Sequence, residues 1–145
     1  MLVIGYGNPL RGDDGIGIHV AHTLMEMTES AWEVIACHQL TLDLVDPIQR
    51  ADFVVFVDAD LDLAAGEIAV CPVEPLAQIV NSWSHQVDPA LLLGLASAWY
   101  GKCPRASLIG VGGADFGLSE TLSPEVAATV PQIVKILQEI NEKTG

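Results

Sequence analysis

The chain has 145 residues, half of them apolar, and its 6 Lys+Arg stand against 19 Asp+Glu, which gives a formal net charge of −13. A chain of this size buries roughly two-thirds of its surface on folding, so we predict one domain over residues 1–145 that needs no disulfide or structural metal. The negative charge repels phosphate backbones and anionic lipids, and no apolar stretch reaches the ~20 residues of a membrane span, which argues against nucleic-acid and membrane partners.

Short apolar runs alternate with helix-length amphipathic stretches in the first half of the chain, a pattern typical of βαβ units. Strands are predicted at residues 2–5, 33–37 and 53–57, with a helix over residues 14–27 between the first two. The third strand is apolar at every position, as a central parallel strand buried on both faces requires.

The second half continues with a strand, a buried helix, a last strand and a final helix, predicted at residues 67–73, 91–99, 107–111 and from Ser123 onward. The first of these strands follows its predecessor without an intervening helix, so we expect it to be an antiparallel edge strand. Asp88 and Pro89 cap the buried helix, and Pro131 is expected to bend the final one. We therefore predict an α/β fold: a single three-layer domain with a mostly parallel, twisted sheet of about five strands and helices on both faces.

Ligand sites of open α/β sheets lie beyond the carboxyl ends of the strands, so the residues that follow each strand are the candidates. Asp14 follows the first strand, Asp58 follows the central strand, and His85 precedes the buried helix. Two carboxylates and an imidazole that meet in one crevice form a ligand set for Zn²⁺, Ni²⁺ or Mn²⁺ with an open coordination position. Each residue alone also has a purely structural explanation, as a helix cap, a solvated strand end or a hydrogen-bonded imidazole.

The glycine-rich loop after the first strand does not match a nucleotide-binding motif. A dinucleotide fingerprint would require glycine where Leu10 stands, and a phosphate loop would require Lys-Ser/Thr where Asp13 and Asp14 stand. The loop therefore suits a cation or a hydrogen-bond donor, and no nucleotide cofactor is predicted. Its backbone N–H groups between Gly5 and Gly12 are candidates for stabilising an oxyanion.

The cysteines and the remaining histidines give weaker indications. Three cysteines without a CxxC spacing fit a reducing compartment, so we expect a cytoplasmic protein, and the large net charge favours a monomer. Cys37 and His38 are adjacent at the end of the second strand, which leaves a cysteine peptidase open and places His38 where it could border the crevice. No Gly-x-Ser-x-Gly elbow occurs.

With these residues in place, the chain resembles the hydrogenase maturation endopeptidases, which trim the C-terminal extension from the large subunit of NiFe hydrogenases. Four segments carry the resemblance: Gly-Tyr-Gly-Asn-Pro-Leu-Arg-Gly-Asp-Asp-Gly-Ile-Gly at residues 5–17, Val57-Asp58-Ala59, Ser84-His85-Gln86 and Leu122-Ser123-Pro124-Glu125. The resemblance implies that Asp14, Asp58 and His85 are the metal-binding and catalytic residues. It also implies that they recognise nickel already inserted in the precursor, so that the protease carries no tightly held metal of its own.

The same resemblance leads us to predict a set of substrate contacts in the flanking segments: Gly7, Asn8, Asp13, His38 and Gln39. Many members of the family have Asp-Gly-Gly after the second strand, where this chain reads His38-Gln39-Leu40. That variant resembles the branch serving soluble, bidirectional NAD(P)-linked hydrogenases, so a large-subunit precursor of such an enzyme is the expected partner.

The expected reaction is attack on the peptide carbonyl by a water that the metal or a carboxylate activates, which leaves an aspartic or a metallo-type peptidase open. Two other functions fit parts of the sequence. Asp58 and Asp60 match the Asp-x-Asp of Mg²⁺-dependent phosphoaspartate phosphatases, and the same nickel ligands would serve a chaperone that binds an immature nickel metalloprotein without cutting it.

Overall fold

A computed structural model of the protein describes residues 1–27, 32–77 and 86–144. These residues form one sheet of five strands, which in chain order are β1 (Leu2–Tyr6), β2 (Glu33–Cys37), β3 (Phe53–Asp60), β4 (Ile68–Pro72) and β5 (Arg105–Gly112). The strand order across the sheet is β2-β1-β3-β5-β4. All neighbours are parallel except β4, which pairs antiparallel with β5 at the edge, so the predicted fold class and edge strand are confirmed.

The described helices connect the parallel strands and complete the chain: α1 (Ile16–Glu26), α2 (Val45–Arg50), α3 (Pro89–Tyr100), α4 (Pro124–Ala127) and α5 (Thr129–Thr144). Short 3₁₀ turns, Gly12–Gly15 and Leu42–Leu44, lead into α1 and α2. None of the helices in the described part of the chain is long and apolar enough to span a bilayer.

Both faces of the sheet are buried because successive strand residues point to opposite sides. Leu2 and Ile4 of β1 pack with side chains of α2 and α3 in one core, whereas Val3 packs with side chains of α1 and α5 in the other. In β3, Val54 and Phe56 belong to the first core, and Val55 and Val57 belong to the second. The result is the three-layer arrangement that the sequence predicts.

Most predicted boundaries differ from the structure by one or two residues, and three differences have a clear structural reason. The first helix begins at Ile16, after the 3₁₀ turn that contains Asp14. Strand β3 continues to Asp60, because β5 supplies pairing partners up to Gly112. The final helix breaks at Ala128, between α4 and α5, because Pro131 has no N–H to donate to the carbonyl group four residues earlier.

The buried helix predicted at residues 91–99 corresponds to α3, and its predicted burial is confirmed for the first half of the helix. Its N-cap, Asp88, accepts a hydrogen bond of 2.8 Å from the N–H of Leu91, and residues 91–96 are buried. The last turn, which includes Trp99 and Tyr100, is exposed. Helix α3 therefore packs on the sheet through its N-terminal half.

Candidate active site

The chain changes direction across the sheet at β1. It leaves β1 through α1 to reach β2 on one side, and it returns to β3 on the other side before it continues to β4 and β5. Loops that leave the carboxyl ends of β1 and β3 thus diverge, and the gap between them is where open α/β sheets bind ligands. Asp14 and Asp58 lie at this end of the sheet.

Asp58 lies on β3, one residue beyond the last position that pairs with β1. Its Oδ1 accepts a hydrogen bond of 2.8 Å from the N–H of Ala59, and its carboxylate accepts another from the Tyr6 hydroxyl. Burial raises the pKa of Asp58 to about 6, and the negative charge of Asp14 adds to the increase. The two predicted carboxylates are therefore close enough to repel each other.

Asp14 lies in the 3₁₀ turn before α1, and its side chain is half-buried. Its Oδ2 accepts a hydrogen bond of 2.8 Å from the N–H of Asn8, which fixes the carboxylate against the preceding loop. Gly7 makes this approach possible: its φ is +139°, and a Cβ there would overlap the carbonyl oxygen of Asp14. The glycine at position 7 thus shapes the loop that orients Asp14.

Asp13 has no exposed surface, in contrast to its neighbour. Its carboxylate accepts hydrogen bonds from the N–H groups of Ala114 (2.8 Å), Asp115 (2.9 Å) and Ser123 (2.7 Å), and from the Ser123 hydroxyl (2.7 Å). Burial raises the pKa of Asp13, but these hydrogen bonds outweigh it and hold the pKa below its usual value. Asp13 joins distant loops beneath the site and is not part of the cavity lining, and its contact with a substrate stays a prediction.

The N–H groups of the loop after β1 already have acceptors within the chain. Gly7 donates to the carbonyl of Cys37, Asn8 donates to Asp14, and the next donors follow in order: Leu10 to Asn8 Oδ1 (3.0 Å), Arg11 to the Asn8 carbonyl (3.1 Å) and Gly12 to the Ser119 carbonyl (2.8 Å). Pro9 has no N–H. The N–H groups of residues 7, 8 and 10–12 thus each have an acceptor within the chain, and a role for this loop in holding an oxyanion stays a prediction.

A cavity of about 310 Å³ opens beside the Asp14 carboxylate, and its lining comes from three loops: Asn8, Arg11, Asp14, Leu61 and Phe116. This volume lies at the lower end of the usual range for ligand sites, about 300–1,000 Å³. Asn8 is thus on the open side of the site, as the predicted substrate contact requires.

His38 and Gln39 are exposed in the loop that follows β2. This loop lies beside the glycine loop, because the N–H of Gly7 donates to the carbonyl of Cys37 over 3.2 Å. Both residues are therefore at the same edge as Asp14, and their contact with a substrate stays a prediction.

His85, the third predicted ligand, lies outside the described residues. Within residues 1–27, 32–77 and 86–144, no three His, Cys, Asp or Glu side chains are grouped closely enough to hold a metal ion. The two carboxylates of Asp14 and Asp58 are thus the part of the predicted ligand set that the structure places together.

Sequence reasoning passed over Tyr6 and used Asp88 only as a helix cap. Burial raises the pKa of Tyr6, and so do the charge of Asp58, its hydrogen bond with Asp58 and the charge of Asp88. Parallel pairing offered a signal for Tyr6, since it follows Gly5 on β1 just as Asp58 follows Val57 on the neighbouring strand. No local sequence pattern indicates that Asp88 lies near Tyr6 and Asp58.

The fold and these side chains define an α/β enzyme with a pair of carboxylates at the point where the strand order reverses. The model of a protein family described as hydrogenase maturation protease, HycI, matches residues 18–140. The chain therefore belongs to the HycI family of hydrogenase maturation proteases, and it is a peptidase of hydrogenase maturation. The predicted resemblance is confirmed, and the phosphatase alternative is wrong.

Solved structures of similar proteins share the fold over nearly the whole chain. The hydrogenase maturating endopeptidase HybD from E. coli is 21% identical, with 98% of this chain and 92% of that chain covered and a TM-score of 0.76. The hydrogenase 2 maturation peptidase from Thaumarchaeota archaeon SCGC_AB-539-E09 is 27% identical, with 97% of each chain covered and a TM-score of 0.73. The NiFe hydrogenase maturation protease HycI from Thermococcus kodakarensis KOD1 is 26% identical, with 96% and 90% covered and a TM-score of 0.71. The comparison with curated protein sequences gave no match.

Proposed function

We propose that the protein removes the C-terminal extension of a NiFe-hydrogenase large-subunit precursor after nickel has been inserted. One observation carries the proposal: a chain of the hydrogenase maturation protease family holds two carboxylates, Asp14 and Asp58, near enough for the charge of one to raise the pKa of the other, where its strand order reverses. The nickel belongs to the substrate, and it is held mainly by cysteines of the precursor.

In this proposal Asp14, Asp58 and His85 complete the coordination of the nickel ion. Carboxylate and imidazole groups are both ligands that divalent first-row metals accept. The described chain resumes at Gln86, and the charge of Asp88 contributes to the raised pKa of Tyr6, which itself bonds to Asp58. Residue 88 is thus near the pair of carboxylates, which supports a role for His85 at the same site.

The peptide bond would be cut by a water that nickel or one of the two carboxylates activates. Anchoring the precursor through its metal would hold the bond in the cavity beside Asp14, which supplies the proximity that catalysis requires. Because the N–H groups of the loop after β1 are already used, the nickel ion is the source of positive charge that would balance the developing oxyanion. Both an aspartic and a metallo-type reaction agree with this arrangement.

The precursor we favour is that of a soluble, bidirectional NAD(P)-linked hydrogenase. Support comes from the exposed His38-Gln39 pair, which stands at the same edge as the carboxylates. We place the reaction in the cytoplasm and assign it to a monomer, because the three cysteines are free and the chain carries a net charge of −13.

The test is incubation of nickel-loaded precursor with the protein, followed by mass spectrometry of the precursor. The parent chain should shorten it, whereas Asp14→Asn, Asp58→Asn and His85→Ala should cut at least about 100-fold more slowly. His22→Ala is a matched control, because His22 is exposed on α1. This control should cut like the parent.

Each outcome addresses a separate part of the proposal. An intact precursor after incubation with the parent chain would rule out processing and favour the non-catalytic chaperone. Cleavage of nickel-free precursor at the same rate would rule out recognition of nickel while it leaves the peptidase in place. Full activity in the Asp14 or Asp58 variants would remove the carboxylates from the mechanism.

A further inference from the structure

Exposed leucines surround the candidate site. Leu10, Leu61 and Leu118 stand in the loops that follow β1, β3 and β5, and they are 53%, 81% and 91% exposed. We refer to these three residues as the leucine rim. Large apolar side chains at this exposure are common singly, but a group of them at one edge marks an interaction surface.

Two of the three loops that carry the leucine rim are bonded to each other. The N–H of Ser119 donates to the carbonyl of Leu10 over 3.0 Å, and Arg11 Nε donates to the carbonyl of Phe116 over 3.1 Å. Leu61 lines the cavity beside Asp14 together with Arg11 and Phe116. Leu61 therefore borders the cavity, and the other two rim leucines stand on loops whose backbones are bonded to each other.

Acidic residues border the leucine rim. Asp60 and Asp62 stand on either side of Leu61, and Glu120 lies two residues after Leu118. Asp62 and Glu120 are exposed. Arg11, next to Leu10, is also exposed and carries a positive charge. The surface is thus apolar with a mainly negative margin, which complements an apolar patch bordered mainly by lysine or arginine.

We propose that the leucine rim is the docking surface for the folded part of the precursor, which presents an apolar patch with basic neighbours beside its scissile segment. This inference rests on the proposed function. A cavity of about 310 Å³ holds a short segment, whereas a specific protein interface buries about 800 Å² on each partner, so further surface must take part. The leucine rim supplies that surface next to the carboxylates.

The experiment measures binding and cleavage of nickel-loaded precursor by the parent chain, Leu61→Ser, Leu118→Ser, the double variant and Met25→Ser. Met25 is the matched control: it is 51% exposed, and it lies near the far end of α1 from the site. Each leucine variant should weaken binding about tenfold and the double variant about 100-fold, with most of the loss in KM. Met25→Ser should stay within about twofold of the parent.

Raised ionic strength should weaken binding of the parent further, because the acidic margin attracts basic residues. Unfolding midpoints equal to that of the parent show that the serine variants are folded.

Parent-like binding by the double variant, while the parent still cuts, would overturn the docking surface and leave the proposed function standing. If the parent chain were a dimer and the double variant a monomer, a second copy of the chain would cover the leucine rim. That result would also overturn the docking surface for the precursor. A parent that leaves the precursor intact would overturn the proposed function and this inference together.

Discussion

The carboxyl group of Asp58 is held in surroundings that disfavour its charge. It is mostly withdrawn from water, and Asp14 places a second negative charge beside it, so its pKa rises to about 6. The Tyr6 hydroxyl and the Ala59 N–H offset part of this cost by hydrogen bonding to the ionised form. A metal ion bound between the two acids would remove the repulsion, which is a reason for a metal-binding site to tolerate it.

Replacing Asp58 with Asn should stabilise the folded protein near neutral pH while it abolishes processing. The pKa of Asp58 is about 6 when folded and about 4 in an unfolded chain, so folding favours the protonated form. The parent therefore loses stability as pH rises through this window, and the variant does not. We expect a gain of about 1 kcal/mol in the free energy of unfolding at about pH 7.5 and none at about pH 4.

Urea unfolding of both proteins at the two pH values measures this difference. Asp62→Asn is the control, because Asp62 is exposed and should show no gain at either pH. A variant that is less stable than the parent at about pH 7.5 would contradict the prediction.

The first helix contacts the sheet through glycine. A Cβ at Gly17 of α1 would lie 2.5 Å from the carbonyl oxygen of Tyr6 and closer still to that of Val57, so backbone meets backbone on both β1 and β3. Because the 3₁₀ turn with Asp14 leads directly into α1, this close contact also sets the position of Asp14 above the sheet.

Gly17→Ala should therefore be far more damaging than a glycine substitution elsewhere. We expect a loss of about 3 kcal/mol or more in unfolding free energy, because the new methyl group displaces α1 from two strands. Gly101→Ala is the matched control: its φ is +69° with open space around it, so a loss of about 1 kcal/mol is expected. Equal losses in the two variants, measured by thermal unfolding, would show that α1 can move away at little cost.

The positions of the strands and helices follow well from local sequence patterns. The apolar run at residues 53–57 predicts a central strand, and the Asp88-Pro89 pair predicts the start of α3, since both depend on neighbouring residues alone. The extension of β3 to Asp60 could not be read in the same way, because it depends on partners in β5. The predicted positions of Asp14 and Asp58 at one edge follow from the rule for parallel sheets, and the structure brings both there.

At the scale of the whole molecule, Asp13 connects segments that are far apart in the chain. It accepts hydrogen bonds from the loop after β5 and from Ser123, the residue before α4, more than 100 positions away. In the sequence only the family resemblance assigns different roles to Asp13 and Asp14, whereas in the structure the return of the chain past β5 buries Asp13 and leaves Asp14 half-buried. Separations of this size have no local pattern, so the supporting role of Asp13 was not predictable.

Asp13→Asn should loosen both connections at once. An amide keeps one acceptor oxygen but places an NH₂ group among four donors, so we expect a loss of about 3 kcal/mol in unfolding free energy near neutral pH. Because the folded pKa of Asp13 is lowered, the parent keeps this stabilisation above about pH 4 and loses it as pH falls through the folded value. The deficit of the variant should therefore shrink in acid.

Hydrogen exchange separates this role from a general loss of stability. The N–H groups of Ala114, Asp115 and Ser123 should exchange faster in Asp13→Asn under conditions where core strands such as β3 remain protected. Asp115→Asn is the control, because Asp115 is exposed and its Oδ1 accepts a single bond from the Gly117 N–H. If exchange at these three groups were the same in Asp13→Asn and the parent, the buried carboxylate would not be what holds the two loops beneath the site.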